Sequence, residues 1–178
     1  MKTKAVFLDR DGTIIKDMIY LNDPAKIEVF PESYEAIELM NKQNYLVILA
    51  TNQSGVARGI VKESILQEIN SIIIEDFKTK GAIIHDVYYA PDAVDSGSFN
   101  RTPQPGMLLQ AAQKYDIDLK KSWMVGDRMT DVEAGLRAGC RSILLQNELT
   151  PPIDKEFAAP QIIVKNVLQA AQHILKNN

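Results

Sequence analysis

The chain has 178 residues, of which 46% are hydrophobic and 24% charged, with a formal net charge of −3. This is enough chain for one domain with a proper core, and the lack of a Lys/Arg-dense stripe argues against a nucleic-acid binder. No apolar run reaches membrane-spanning length, and Asp9 interrupts the first one, so neither a membrane span nor a signal peptide is expected. One cysteine, Cys140, and two histidines leave no internal disulfide and no His/Cys metal cluster. The expectation is a cytoplasmic protein, monomeric by default, with any metal held by oxygen.

In chain order, Ala5 to Leu8 reads as a buried strand that stops at Asp9-Arg10-Asp11-Gly12-Thr13. Residues 14–30 have no clear period and predict a long loop or flap. Pro31 opens a helix to about Gln43, with Tyr34, Ile37, Leu39 and Met40 as its apolar face. Residues 45–50 form a second buried strand, ending in Thr51-Asn52-Gln53-Ser54-Gly55. Residues 62–79 are helical in pattern, with Ile65, Leu66, Ile69, Ile72, Ile73 and Phe77 as the stripe. Residues 83–90 predict a third strand, 91–104 a polar loop, and Pro105 opens a helix to about Tyr115. A fourth strand covers 122–126, and a helix from about Thr130 to Ala138 stops at Gly139, a good left-handed cap. Residues 141–145 predict a fifth strand, 146–160 a surface loop, 162–164 a short edge strand and 166–176 a closing helix.

Alternating strands and helices predict an α/β fold: one Rossmann-like domain over residues 1–178, a parallel sheet with helices on both faces. No stretch is long enough for a large cap domain. Asp9, Thr51, Arg101 and Asp127 all fall at or just after the carboxyl end of a strand, the edge where an open parallel sheet binds ligands.

Asp9 and Asp11 are two apart, so an extended backbone points both to one side while Arg10 turns away. Two carboxylates about 4 Å apart repel by about 4 kcal/mol at an effective dielectric of about 20. A polar strand-to-loop turn also uses Asp, but the pair fits a phosphatase nucleophile beside an acid. Asp9 attacks phosphorus to give an aspartyl phosphate. Asp11 protonates the leaving oxygen and later takes a proton from water, a role for which its carboxylate neighbour and partial burial would raise its pKa. Thr51 and the amides of the Ser54-Gly55 turn can hold phosphoryl oxygens. Asp127 would ligate Mg²⁺ with Asp9 and the backbone carbonyl of Asp11. Asp131 sits near a helix start, where an acid is stabilised anyway, and is expected behind the ligands rather than on the ion.

Asp9-Arg10-Asp11-Gly12-Thr13, Thr51-Asn52-Gln53-Ser54-Gly55 and Gly126-Asp127 with Asp131 resemble the ordered motifs of the haloacid dehalogenase-like (HAD) phosphatases. Within that superfamily, residues 7–13, 51–59 and 103–107 preceded by Arg101 are similar to the heptose bisphosphate phosphatase and histidinol-phosphate phosphatase families. The resemblance implies Asp9 as nucleophile, Asp11 as proton donor, Thr51 as phosphoryl stabiliser and Asp127 as a metal ligand. It also implies substrate contacts from Asn52, Gln53, Ser54, Arg101 and Arg128, and from the loop Asp17 to Tyr20. The implied substrate is a small phosphorylated metabolite: a sugar bisphosphate, heptose bisphosphate first and histidinol phosphate second.

Two departures stand out. These families carry a zinc loop, but the matching places hold Ala90, Asp92, Ser98 and Asn100, so zinc is not expected and the flap need not be rigid. The family's Arg-Lys-Pro reads Arg101-Thr102-Pro103 here, so the motif lysine is missing. Arg101 is expected to compensate in part, with Arg128 and Lys62 as other sources of charge. A phosphate-binding protein with turnover lost is the rival reading. Arg58 is a candidate contact to the far end of a sugar phosphate, while His85, Cys140 and Trp123 are expected to serve packing.

Overall fold

A computed structural model describes residues 2–157 and 159–177; Ala158, inside the loop expected over 146–160, lies outside the described residues. The central strand is Lys4–Leu8 (β1), which is buried on both faces because its side chains are apolar on both. It pairs in parallel with Tyr45–Asn52 (β2) on one side and Trp123–Gly126 (β4) on the other. Asp86–Ala90 (β3), Arg141–Leu145 (β5) and Ile163–Val164 (β6) complete a six-stranded sheet in the order β3-β2-β1-β4-β5-β6. The strand order reverses at β1, where β2 departs to one side and β4 to the other. Ligands in such sheets sit beyond the carboxyl ends of the strands at that reversal.

Val6, Leu8, Val47, Leu49, Trp123 and Val125 point to one face. Helices Glu32–Lys42 (α1), Glu63–Thr79 (α2) and Val167–Lys176 (α5) cover it. Ala5, Phe7, Ile48 and Met124 point to the other face, packed by Gly106–Tyr115 (α3). Met129–Ala138 (α4) lies against β4 and β5. The alternation follows from the period of two along a strand. No described helix is long and apolar enough to cross a membrane.

The third strand is shorter than expected. Ile83 is half exposed, and its backbone N–H and C=O bond the side chain of Asn41 at 2.7 and 3.1 Å, not a neighbouring strand. A side-chain amide that satisfies both backbone groups removes the need for a ladder there. The α2 stripe also departs: Ile72 is 40% exposed and Asn70 is buried. In residues 14–30 a 3-10 turn forms at Pro24–Lys26, and Ile14, Ile15 and Leu21 are buried in the core. The segment is otherwise the irregular loop expected, anchored by those buried residues, with Met18 and Ile19 exposed in its middle.

Candidate active site

The carboxyl ends of β1 and β4 meet because the two strands pair, with Leu8 opposite Val125, and the Asp9 N–H donates to the Val125 carbonyl at 2.9 Å. Asp9 and Asp127, the residues that follow, are therefore neighbours, and both are buried. Gly12 turns the chain at φ +80°, and a Cβ there would collide with the Asp127 carboxylate. Gly126 faces Asp131 in the same way. Asp131 is anchored in the first turn of α4, where its Oδ2 accepts from the Arg128 N–H at 3.2 Å. The two glycines make room for two acids.

Asp9, Asp127 and Asp131 each present an oxygen, all within 4.8 Å of one another. Asp131 is thus as close to the shared space as the two expected ligands. Burial, and then the charges of Asp131, Asp127 and Asp11, push the Asp9 carboxyl well above the ordinary range. Burial pushes Asp127 up to about 6, and burial with the charge of Asp127 pushes Asp131 up to about 7. Asp127 Oδ1 is buried without a hydrogen-bond partner. A hard divalent cation suits all three observations, since oxygen ligands are what Mg²⁺ takes and its charge removes the mutual repulsion.

The Asp11 carboxylate does not join that trio. Arg10 Nε and Nη2 donate to its Oδ2 at 3.1 and 2.9 Å, and Gln53 Nε2 donates to the same oxygen at 2.7 Å. The expectation that Arg10 turns away holds for its backbone position only. It shares the parity of Val6 and Leu8, lies under α2, and its long side chain returns to Asp11.

Thr51 is buried at the end of β2; its hydroxyl neighbours Asp9 and accepts from Gln53 Nε2 at 3.1 Å. Asn52, expected to touch substrate, uses both ends of its amide on Thr102. Its Nδ2 donates to Thr102 Oγ1 at 2.7 Å, and its Oδ1 accepts from the Thr102 N–H at 3.1 Å. Thr102 Oγ1 in turn donates to Asp131 Oδ1 at 3.3 Å. The residue at the lysine position therefore ties β2 to Asp131 and carries no charge.

Cations come from elsewhere. Arg101 is half-buried, and its Nη1 donates to the Asp92 carbonyl at 3.3 Å. Burial lowers its pKa; Asp92 opposes this, while the like charges of Arg128 and Arg58 add to it. Arg128 bonds Asp17 at 3.1 Å. Burial works against its charge, but Asp127, Asp17, Asp9 and Asp131 outweigh it and raise its pKa. Arg58 lies 5.8 Å over the Tyr20 ring. With Ser54, these three arginines line a cavity of about 600 Å³ above the acids. Pro151, Pro152 and Phe157 also line it, from the segment 146–160 that the sequence reads as a surface loop.

The loop 91–104 closes on itself: Ser98 Oγ donates to Asp92 Oδ2 at 3.0 Å and accepts from the Asn100 N–H at 3.3 Å. His85 Nδ1 accepts from the Val47 N–H at 3.1 Å, Cys140 is buried with its thiol pushed up to about 12 by burial, and Trp123 is buried. None of the three reaches the site.

Comparison with known proteins agrees with this geometry. A family model described as HAD-hydrolase-like matches residues 99–170. A crystal structure of D,D-heptose 1,7-bisphosphate phosphatase from B. bronchiseptica, complexed with magnesium and phosphate, superposes with a TM-score of 0.86 at 28% identity, covering 99% of this chain and 100% of that one. The chain belongs to the HAD phosphatases. It is 38% identical over 148 residues to the D-glycero-alpha-D-manno-heptose-1,7-bisphosphate 7-phosphatase of Campylobacter jejuni, spanning 83% of this chain and 85% of the relative. The enzyme of the same name from Photorhabdus laumondii is 37% identical over 145 residues, spanning 78% and 79%.

Two outcomes follow from the crowding of acids. The folded pKa values of Asp127 and Asp131 exceed the ordinary value of 3.8, so without a divalent ion the folded state binds more protons than the unfolded one between 3.8 and about 7. Stability from these groups is lost as pH rises through that window. Added Mg²⁺ should therefore raise the melting temperature, and raise it more at about pH 7 than at about pH 5; equal shifts would contradict the site. Gly12→Ala should cost about 1–3 kcal/mol in urea unfolding and weaken the Mg²⁺ shift, because the new methyl displaces Asp127.

Proposed function

We propose that the chain removes a phosphoryl group from a small phosphorylated metabolite with Mg²⁺ and an aspartyl-phosphate intermediate, D-glycero-D-manno-heptose 1,7-bisphosphate being the leading substrate and histidinol phosphate the alternative. The observation that carries this is the three-acid cluster with its unpartnered Asp127 oxygen, roofed by a cavity with three guanidiniums. One phosphoryl group would lie at Asp9, and the arginines supply a place for a second anion. Arg58, Arg101 and Arg128 lie at the mouth, which favours a substrate with negative charge at both ends. The names of the relatives support the choice of a heptose bisphosphate.

Asp9, Asp127 and Asp131, with the Asp11 backbone carbonyl, would hold the Mg²⁺. The ion supplies charge neutralisation for the anionic phosphoryl group and the acids around it. An Asp9 oxygen forms the bond to phosphorus as the bond from phosphorus to the leaving oxygen breaks, and Asp11 gives that oxygen its proton. Water then attacks the aspartyl phosphate, Asp11 takes a proton from it, and inorganic phosphate leaves. Thr51 and the backbone amides of the Ser54-Gly55 turn would steady the phosphoryl oxygens, while the Gln53 N–H is committed to the Ala90 carbonyl at 2.7 Å. Arg101 and Arg128 supply the positive charge that Thr102 lacks.

Released phosphate, measured over a panel of sugar mono- and bisphosphates with Mg²⁺, tests the reading. The heptose bisphosphate should give the highest kcat/KM, and absence of release from every member would overturn it. Asp9→Asn should lower kcat by roughly a thousandfold or more while the protein still folds. Arg101→Ala should raise KM for the bisphosphate roughly tenfold or more, consistent with loss of a charge-assisted bond, and should also lower kcat for a monophosphate, because Arg101 stands in for the missing lysine at the transferred group; an unchanged monophosphate rate would contradict that role.

A further inference from the structure

Arg10 is almost wholly buried at 1% exposure, yet the chemistry above gives it no task. A buried guanidinium is costly unless its donors are matched. Here the matching is specific. Nε and Nη2 face the Asp11 carboxylate, and Nη1 donates to Asn70 Oδ1 at 2.7 Å. Asn70 is itself buried, in the α2 stripe between Leu66, Ile69 and Ile73, where an apolar residue would fit the period. A polar residue at such a position needs a partner, and Arg10 is that partner.

The bonds on the two Asp11 oxygens are unequal. Oδ2 accepts from Arg10 Nε, Arg10 Nη2 and Gln53 Nε2, at 3.1, 2.9 and 2.7 Å. Oδ1 has only the 3.2 Å contact from Arg10 Nη2. The carboxylate is held mainly through Oδ2, with Oδ1 carrying the single longer bond, and Asp11 is one of the residues that line the cavity.

We propose that Arg10 is a positioning residue for Asp11, with Asn70 of α2 fixing the guanidinium and Oδ1 left as the oxygen that exchanges a proton with the substrate. This rests on the reading of Asp11 as acid and base in the proposed reaction. A planar fork sets the plane of the carboxylate as well as its distance, and proton transfer depends on both. Arg10 need not touch substrate to matter.

The leaving group reports the effect. An alkyl phosphate needs its leaving oxygen protonated, whereas p-nitrophenyl phosphate expels a stable anion and needs little help. In the full chain with Mg²⁺, Asn70→Leu should lower kcat/KM, which reports the step that expels the leaving group and not the later hydrolysis shared by all substrates, by roughly tenfold or more for the best alkyl phosphate of the panel, with a much smaller loss of kcat/KM for p-nitrophenyl phosphate. Asn70→Asp, which keeps an acceptor oxygen for Nη1, should restore the ratio of the two rates. Arg10→Lys, which keeps the charge but not the fork, should skew the ratio as Asn70→Leu does, and it carries the comparison where Asn70→Leu does not fold by melting temperature. Equal loss on both substrates, or no loss on either, would overturn the assignment with the phosphatase reading intact. A wild-type chain that releases phosphate from neither substrate would remove that reading and this one together.

Discussion

Three carboxylates forced into one buried space are the constraint on which the rest of the molecule turns. They arrive there because β1 and β4 are neighbours in register, so the residues that follow Leu8 and Gly126 cannot avoid each other. The sheet that brings them together is built from nearly uninterrupted apolar runs, and the burial that stabilises those runs is what raises the cost of charge at their ends. The core and the site are one arrangement seen from two sides. A divalent ion would relieve that conflict, because three oxygens from Asp9, Asp127 and Asp131 face one space.

Around that point the polar residues divide by duty. Gly12 and Gly126 make space, Asn52 and Thr102 tie the 101–103 segment to β2 and to Asp131, and Arg10 with Gln53 grips Asp11. Arg58, Arg101 and Arg128 line the same cavity as the acids and give it positive charge. Thr102, at the position of the motif lysine, carries no charge and bonds Asp131 through its hydroxyl, while Arg101 and Arg128 line the same cavity.

Much of this was legible in the residues before folding. Apolar runs ending in Asp9, Thr51 and Asp127 placed the site on the carboxyl edge, since strand ends in a parallel sheet share one edge whatever the loops do. The spacing of Asp9 and Asp11 marked a pair but not its divergence. Period two gives direction at the Cα, and it says nothing of a long arginine side chain that curls back to claim Asp11. In the sequence Asp131 is only a helix-start acid, because nothing there shows that Gly126 leaves room for it beside Asp9 and Asp127. Asn70 could have been found: an amide in the buried phase of a helical stripe calls for a polar partner. The third strand was overextended because Ile83-Ile84 is apolar enough for a strand, and only the distant Asn41 side chain takes the backbone bonds that would have made it one. The wall at Pro151, Pro152 and Phe157 had no signal at all, since loop paths depend on packing that composition does not encode.

The loop that carries Arg101 is latched by a serine hydroxyl on an aspartate, Ser98 on Asp92, and residues 91–104 contain neither cysteine nor histidine. The one thiol of the chain is Cys140, sealed under the sheet with its acidity suppressed. A latch of this kind has nothing for peroxide or an alkylating agent to attack. The seat of Arg101 is accordingly indifferent to the oxidation state of its surroundings.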